Sequence, residues 1–205
     1  ADIGDLSQYE RFLKICAVRT GQILNLSDMA REIGISVPTA KRWLSLLEAS
    51  YQVYLLYPYY RSLGKRLVKS PKLYFNDTAL ASYLLGLNDY ETLVKSPNFG
   101  SLFETMIIND VRKRFLHAGQ MPSMYYLRTR DGLEIDLLLE IGQKLYLFEI
   151  KSAMTILPQR TSSLIRASTG LRALTELSAV ISRSPGNHNL TKGIDNYNWK
   201  NFLLD

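Results

Sequence analysis

This chain of 205 residues is poor in the residues that make covalent or metal cross-links, with one cysteine, Cys16, and two histidines, His117 and His188. A single thiol excludes an internal disulfide and fits a reducing, cytoplasmic setting. So few His and Cys exclude a zinc centre built from them. No apolar run approaches the roughly 20 residues that cross a bilayer, and no signal peptide opens the chain, so a membrane is not an expected partner. The glycines are scattered, and none is followed by Lys-Ser or Lys-Thr at phosphate-loop spacing, which excludes ATP binding by that device. The chain opens on Ala1, not Met, as a fragment of a longer protein would.

What is present is an ordinary globular composition, 46% hydrophobic and 21% charged. That leaves room for one large domain or two small ones with separate cores. The net charge of +6 leans towards an anionic partner such as nucleic acid.

In the amino-terminal half, Tyr9–Thr20 carries a helical apolar stripe that Gly21 ends. The stretch LNLSDMAREIGISVPTAKRWLSLLEAS follows. Ser27 is the expected cap of a helix over Asp28–Ile33, Gly34 breaks it, and Pro38 opens a second helix. A helix, a glycine-containing turn and a helix at this spacing form the helix-turn-helix pattern. The second helix displays Thr39, Lys41, Arg42 and Ser45, residue types that contact phosphates and base edges. A solvated face on a purely architectural unit is the other reading of the same residues. Tyr51–Tyr60 reads as a strand with Lys72–Phe75 as its returning partner. Between and bordering them lie Arg61, Lys65, Arg66, Lys69 and Lys72 with no acid among them. After a helix-turn-helix, strand, basic loop and strand describe a winged helix, with Lys65, Arg66, Lys69 and Lys72 beside a phosphate backbone. A helix over Asp77–Leu87 closes the domain, and Asn, Asp, Pro and Gly accumulate over Asn88–Asn98.

In the carboxy-terminal half, Ser101 caps an amphipathic helix ended by Gly119, with Glu104 in its first turn. A strand over Ser123–Thr129 and a turn at Asp131-Gly132 lead into GLEIDLLLEIGQKLYLFEIK, Gly132 to Lys151. Its centre, Gly142-Gln143, suits a two-residue type II′ hairpin turn. Counting outward, Ile141 faces Lys144, Leu138 faces Leu147, Asp136 faces Glu149 and Glu134 faces Lys151. Alternation gathers these four ionisable groups at one end of the hairpin. Helix is expected over Leu157–Leu177, with a break around Thr169-Gly170, then a strand over Leu177–Ser182, and a tail whose Trp199 and Phe202 pack back.

Facing like charges at Asp136 and Glu149 are destabilising unless a cation lies between them. Two carboxylates can hold Mg²⁺ or Mn²⁺ by oxygen ligation and leave positions for water and phosphate. The metal then polarises the phosphoryl group, and a neighbouring lysine positions the water or neutralises charge. The competing reading is a set of cross-strand salt bridges, Glu134–Lys151 among them.

At Glu104, Asp136, Glu149 and Lys151 the chain resembles the PD-(D/E)xK nuclease superfamily, whose pattern is a helical Glu, an Asp on the second strand and E-x-K on the third. The resemblance implies an α-β-β-β-α-β core. It also implies catalytic roles for Glu104, Asp136, Glu149 and Lys151 with Glu134 auxiliary, and metal ligation by Asp136, Glu149 and Glu104. LNLSDMAREIGIS, TAKRWLSLLEASYQVYLLYPYY, GKRLVKSPKLYF, SLFETMIIND and GLEIDLLLE…EIKS carry a wider resemblance, to the carboxy-terminal region of a group of prokaryotic AAA+-like ATPases of poorly defined function. In that group a P-loop ATPase module precedes a winged helix, and a nuclease-like domain follows. Ala79 stands where the group usually has Gly (D-T-G-L).

The expectation is therefore a two-domain α+β protein. A winged-helix domain over 1–92 is followed by a restriction-endonuclease-like α/β domain with a mixed central sheet over 93–205. The expected activity is that of a DNA-associated, metal-dependent deoxyribonuclease. The alternatives are a non-catalytic DNA-binding or regulatory domain of the ATPase, and a protein-interaction module working through Tyr51–Tyr60.

Overall fold

The computed structural model describes residues 6–60 and 68–204. They fall into two units, Ala1–Leu56 with Ser70–Thr105, and Tyr57–Lys69 with Met106–Asp205. The two units meet inside one helix. Lys65 and Arg66 lie outside the described residues.

The first unit opens with α1 (Leu6–Val18), which buries Phe12, Cys16 and Ala17. Gly21, at φ +75°, turns the chain, and its amide donates to Leu73 O at 2.7 Å. A side chain there would be strained and would meet Ser101 Cβ at 3.3 Å. Next come β1 (Gln22–Ile23) and α2 (Leu26–Ile33). Asn25, not Ser27, caps α2, accepting from Asp28 N, and Gly34 at φ +79° ends it. In α3 (Val37–Ala49) Ser36 is the cap and Pro38 sits in the first turn, where its missing N–H costs nothing. Strands β2 (Val53–Leu56) and β3 (Lys72–Phe75) pair antiparallel, giving a three-stranded sheet of order β1-β3-β2. Only the middle of Tyr51–Tyr60 is thus strand.

Helix α4 (Thr78–Leu84) is capped by Asp77. The Asn- and Asp-rich stretch holds a further helix, α5 (Tyr90–Lys95), because Asp89 accepts from Thr92 N and supplies its cap. Trp43 anchors the core, edge-on to Tyr9 at 5.5 Å and to Phe12 at 5.7 Å between ring centroids.

Helix α6 (Phe99–His117) leads into the second unit. There β4 (Met124–Arg128), β5 (Glu134–Ile141) and β6 (Lys144–Lys151) form an antiparallel meander. Gly142, at φ +62°, makes the β5–β6 turn, and the pairs Leu138–Leu147 and Ile141–Lys144 fall where counting from that turn puts them. The expected helix after β6 is a 3₁₀ turn (Pro158–Thr161) followed by α7 (Ser162–Gly170), which ends at the break around Thr169-Gly170 and does not resume. Residues beyond Arg172 are drawn into β7 (Thr175–Ser182), which lies parallel to β6 and is buried on both faces at Ala179, Val180 and Ile181. A polar hairpin without apolar alternation supplies β8 (His188–Thr191) and β9 (Ile194–Asn198), the latter parallel to β7.

The resulting mixed sheet has order β4-β5-β6-β7-β9-β8. Leu164 and Ala167 of α7, with Leu171 just after it, join Leu138, Leu147 and Val180 in its core. Phe202 of α8 (Trp199–Leu204) packs edge-on against Phe148 at 5.3 Å. Residues 57–60 and Val68 lie along the outer edge of β4, where Tyr59 N donates to Tyr126 O at 2.8 Å and Val68 N to Arg128 O at 3.0 Å. That satisfies backbone groups on an otherwise open edge. Among the described residues no helix is long and apolar enough to cross a membrane.

Candidate functional site

Backbone pairing between β5 and β6 ends at Leu137–Phe148. Just past that last rung stand Asp136 and Glu149, 7% and 5% exposed. Asp136 turns its carboxylate into the ladder, where Oδ2 accepts from Ile150 N at 2.8 Å. A side-chain oxygen thus replaces the strand carbonyl that would have met this amide, and the two strands part around the acids. Lys151 spans both, its Nζ 3.4 Å from Asp136 Oδ2 and 3.4 Å from Glu149 Oε2. Glu149 Oε1 is buried and has no hydrogen-bond partner.

These contacts set the electrostatics. Burial pushes the Glu149 carboxyl up from 4.5 to about 7, with Lys151 opposing the shift and Asp136 adding to it. The Leu164 amide, in the first turn of α7, contributes a smaller lowering. Burial pulls the Lys151 ammonium down, but Asp136 and Glu149 together outweigh it, and the net shift is upward. Lys151 therefore stays charged, while Glu149 exchanges its proton near neutrality. An orphaned carboxylate oxygen and a neighbouring acid are a donor set for a hard cation. Among the described residues no group of three or more His, Cys, Asp or Glu could hold a metal ion, so the two acids stand as a pair.

The remaining expected site residues are placed elsewhere. Glu134 is not opposed by Lys151, because the ladder ends before reaching it. Its Oε2 lies 3.5 Å from Arg128 Nη1, across the β4–β5 pair. Glu104 belongs to the first unit, where its Oε1 accepts from Tyr74 OH at 2.5 Å and from Lys72 Nζ at 3.2 Å. Lys72, expected beside a phosphate backbone, is 3% exposed and holds this ion pair on the inner side of β3. Nothing in the chain's pattern marks that pairing, since Tyr74 and Lys72 lie about thirty residues before Glu104.

On α3, Lys41, Arg42 and Ser45 are exposed, while Thr39 is half-buried and its hydroxyl is 2.8 Å from Ser36 Oγ. Lys69 is exposed. The aromatic stretch is divided: Tyr57 and Tyr60 stand out at 54% and 55% exposed, and Tyr59 packs edge-on against Tyr125.

Comparison with known proteins adds family relationships. Residues 1–91 match a domain of unknown function (DUF8612), and residues 99–202 match a second domain of unknown function (DUF4143). Two relatives are an uncharacterized protein of Mycobacterium bovis and one of Mycobacterium tuberculosis, each 35% identical over 136 residues. That alignment takes in 66% of this chain and 30% of each relative, so the chain spans about a third of their length. No solved structure matches.

Proposed function

The chain belongs to the DUF4143 family, and from that premise we propose that its second unit is a PD-(D/E)xK-like module for metal-dependent phosphodiester hydrolysis, docked on DNA by a winged helix in the first. The observation that carries this reading is the state of Glu149. A buried carboxylate with an unpartnered oxygen, beside a second acid where the ladder opens, is costly unless a cation completes it. Asp136 and Glu149 would hold Mg²⁺ or Mn²⁺, which would polarise a phosphoryl oxygen and acidify its water. Lys151, charged and within reach of both acids, would position that water or offset charge on the phosphate. Glu104 and Glu134 are engaged by Lys72 with Tyr74 and by Arg128, so the proposal rests on the pair alone.

The element order supports it. Helix α6, strands β4, β5 and β6, helix α7 and strand β7 give the α-β-β-β-α-β sequence, with β7 parallel to β6. In the first unit, α1, β1, α2, α3, β2 and β3 follow the order of a winged helix, with Lys41 and Arg42 exposed on its second motif helix. The carboxy-terminal position behind an AAA+-like ATPase module is part of the same proposal, carried by the resemblance of the quoted segments.

One observation favours a second reading. Lys151 already lies between the two carboxylates, where its ammonium supplies the positive charge they need. On that reading the module binds DNA without cutting it. The discriminating experiment incubates the protein with linear and branched DNA in Mg²⁺ or Mn²⁺. Cleavage lost in D136A and K151A supports the enzyme. Salt-sensitive binding without cleavage supports the docking module.

A further inference from the structure

The opposite end of the same sheet holds a cleft that the acidic pair does not explain. It has a volume of about 300 Å³ and lies between the carboxyl end of α7, the start of β7 and the β8–β9 turn. That is the lower end of the size of a small-molecule site. Ser178, which lines it, is 5% exposed, and its Oγ is buried with no hydrogen-bond partner. It lies four residues before Ser182, the β7 residue opposite Lys151, and so about 13 Å along the strand from the acidic end. A buried, unsatisfied hydroxyl costs about 1–3 kcal/mol, and an apolar residue would fit the strand better.

The rest of the cleft shows which chemistry would satisfy it. The Ser168 and Thr169 hydroxyls donate to Ile165 O at 3.0 and 2.8 Å, and the Thr175 hydroxyl donates to Leu171 O at 3.2 Å. With their protons spent, these three groups offer lone pairs to O–H donors, and the negative end of α7 beside Ser168 and Thr169 keeps a ligand's own charge on the Arg172 side. That suits a ligand rich in O–H donors. Arg172, also lining the cleft and exposed, presents a guanidinium fork with no ion-pair partner among the described residues. Glu176 is already matched by Lys144 at 3.2 Å. An unpaired guanidinium asks for a planar or tetrahedral anion. The fourth side is bare backbone at Gly193, where a Cβ would meet nothing within 4 Å.

The geometry points to a second binding site here, for a small polyhydroxylated anion such as a sugar phosphate or a sugar acid. The ligand's hydroxyls donate to Ser168, Thr169 and Thr175, Ser178 exchanges hydrogen bonds with it, and its charged group lies on Arg172. This site is independent of the metal reading and stands whether or not the acidic pair cuts nucleic acid.

Backbone NMR titration of the whole chain with ribose 5-phosphate, gluconate, ribose and inorganic phosphate tests it. Ribose 5-phosphate or gluconate should shift the amides of Thr175–Ser178 and Gly193, and which of them binds more tightly identifies the anionic group. Arg172→Ala should weaken binding about tenfold or more. Ser178→Val should abolish it while raising the thermal midpoint of the unliganded protein, which separates lost binding from lost folding. No shift at these amides with any probe at about 10 mM would overturn the site. So would binding of inorganic phosphate as tight as that of ribose 5-phosphate, or binding indifferent to both substitutions.

Discussion

Ile150 donates its main-chain amide to the Asp136 carboxylate at 2.8 Å. Through this bond one acid both closes the end of the β5–β6 ladder and stands beside Glu149. Lys151 spans the two acids. Structure and candidate chemistry therefore share one group, and substitutions at Asp136 should be read for both.

Asp136→Ala removes the acceptor of a buried amide and one of the two partners of Lys151. The expected cost is about 1–3 kcal/mol, seen as a lower urea midpoint. Asp136→Asn, which keeps a carbonyl oxygen for Ile150, should cost less. Equal losses for the two would show that the bond to Ile150 contributes little.

Stability of the metal-free protein should fall as pH rises through the range set by Glu149. Burial holds its carboxyl near 7, above the ordinary 4.5, so the folded state keeps a proton that the unfolded state has released. The stabilisation is complete below about 4.5, declines as pH rises, and is exhausted above about 7. A shift of this size corresponds to roughly 3 kcal/mol. Glu149→Gln should flatten the dependence, as read by thermal midpoints between about pH 5 and 8. An unchanged slope in that variant would assign the titration to another group.

In the first unit, Glu104→Leu leaves the Lys72 ammonium, 3% exposed, without its carboxylate. Breaking a buried pair from one side costs about 3–5 kcal/mol. Adding Lys72→Met removes the buried charge that faced Glu104 and should recover most of that loss in chemical denaturation. A double variant no better than the single would mean that Lys72 reaches solvent once released.

The winged-helix proposal makes a separate demand. Reversing Lys41 and Arg42, both exposed on α3, should weaken DNA binding by about tenfold or more at low salt and flatten its salt dependence. Fluorescence anisotropy with labelled duplex reads both. Unchanged affinity would point to a different surface.

Much of this fold was legible from residue pattern. Gly142-Gln143 set the hairpin register, and Ser36 with Pro38 opened α3, because turns and caps depend on a few neighbouring residues. The partners of the charged groups were not legible. Alternation assigns Asp136 and Glu149 to one face, but it does not say that the ladder ends at Leu137–Phe148 and leaves Glu134 with Arg128. Lys72 read as one more cation in a basic loop, whereas it opens β3 and pairs with Glu104, 32 residues further on. The β8–β9 hairpin escaped because His188–Asn198 is polar and carries no period-two signal. Past the break at Thr169-Gly170 helix was still expected as far as Leu177, because the start of a central parallel strand, apolar on both faces, looks much like buried helix.

Asp136 and Glu149 are proposed to form a divalent-cation site with Lys151 beside it. Its most direct test is calorimetric titration of the intact chain with Mn²⁺ at neutral pH, repeated on D136N and E149Q. The expected result is binding at one site in the unsubstituted chain, with proton release from Glu149, and loss of that binding in each variant. Absence of Mn²⁺ binding in the unsubstituted chain, or binding undiminished in both variants, would contradict it.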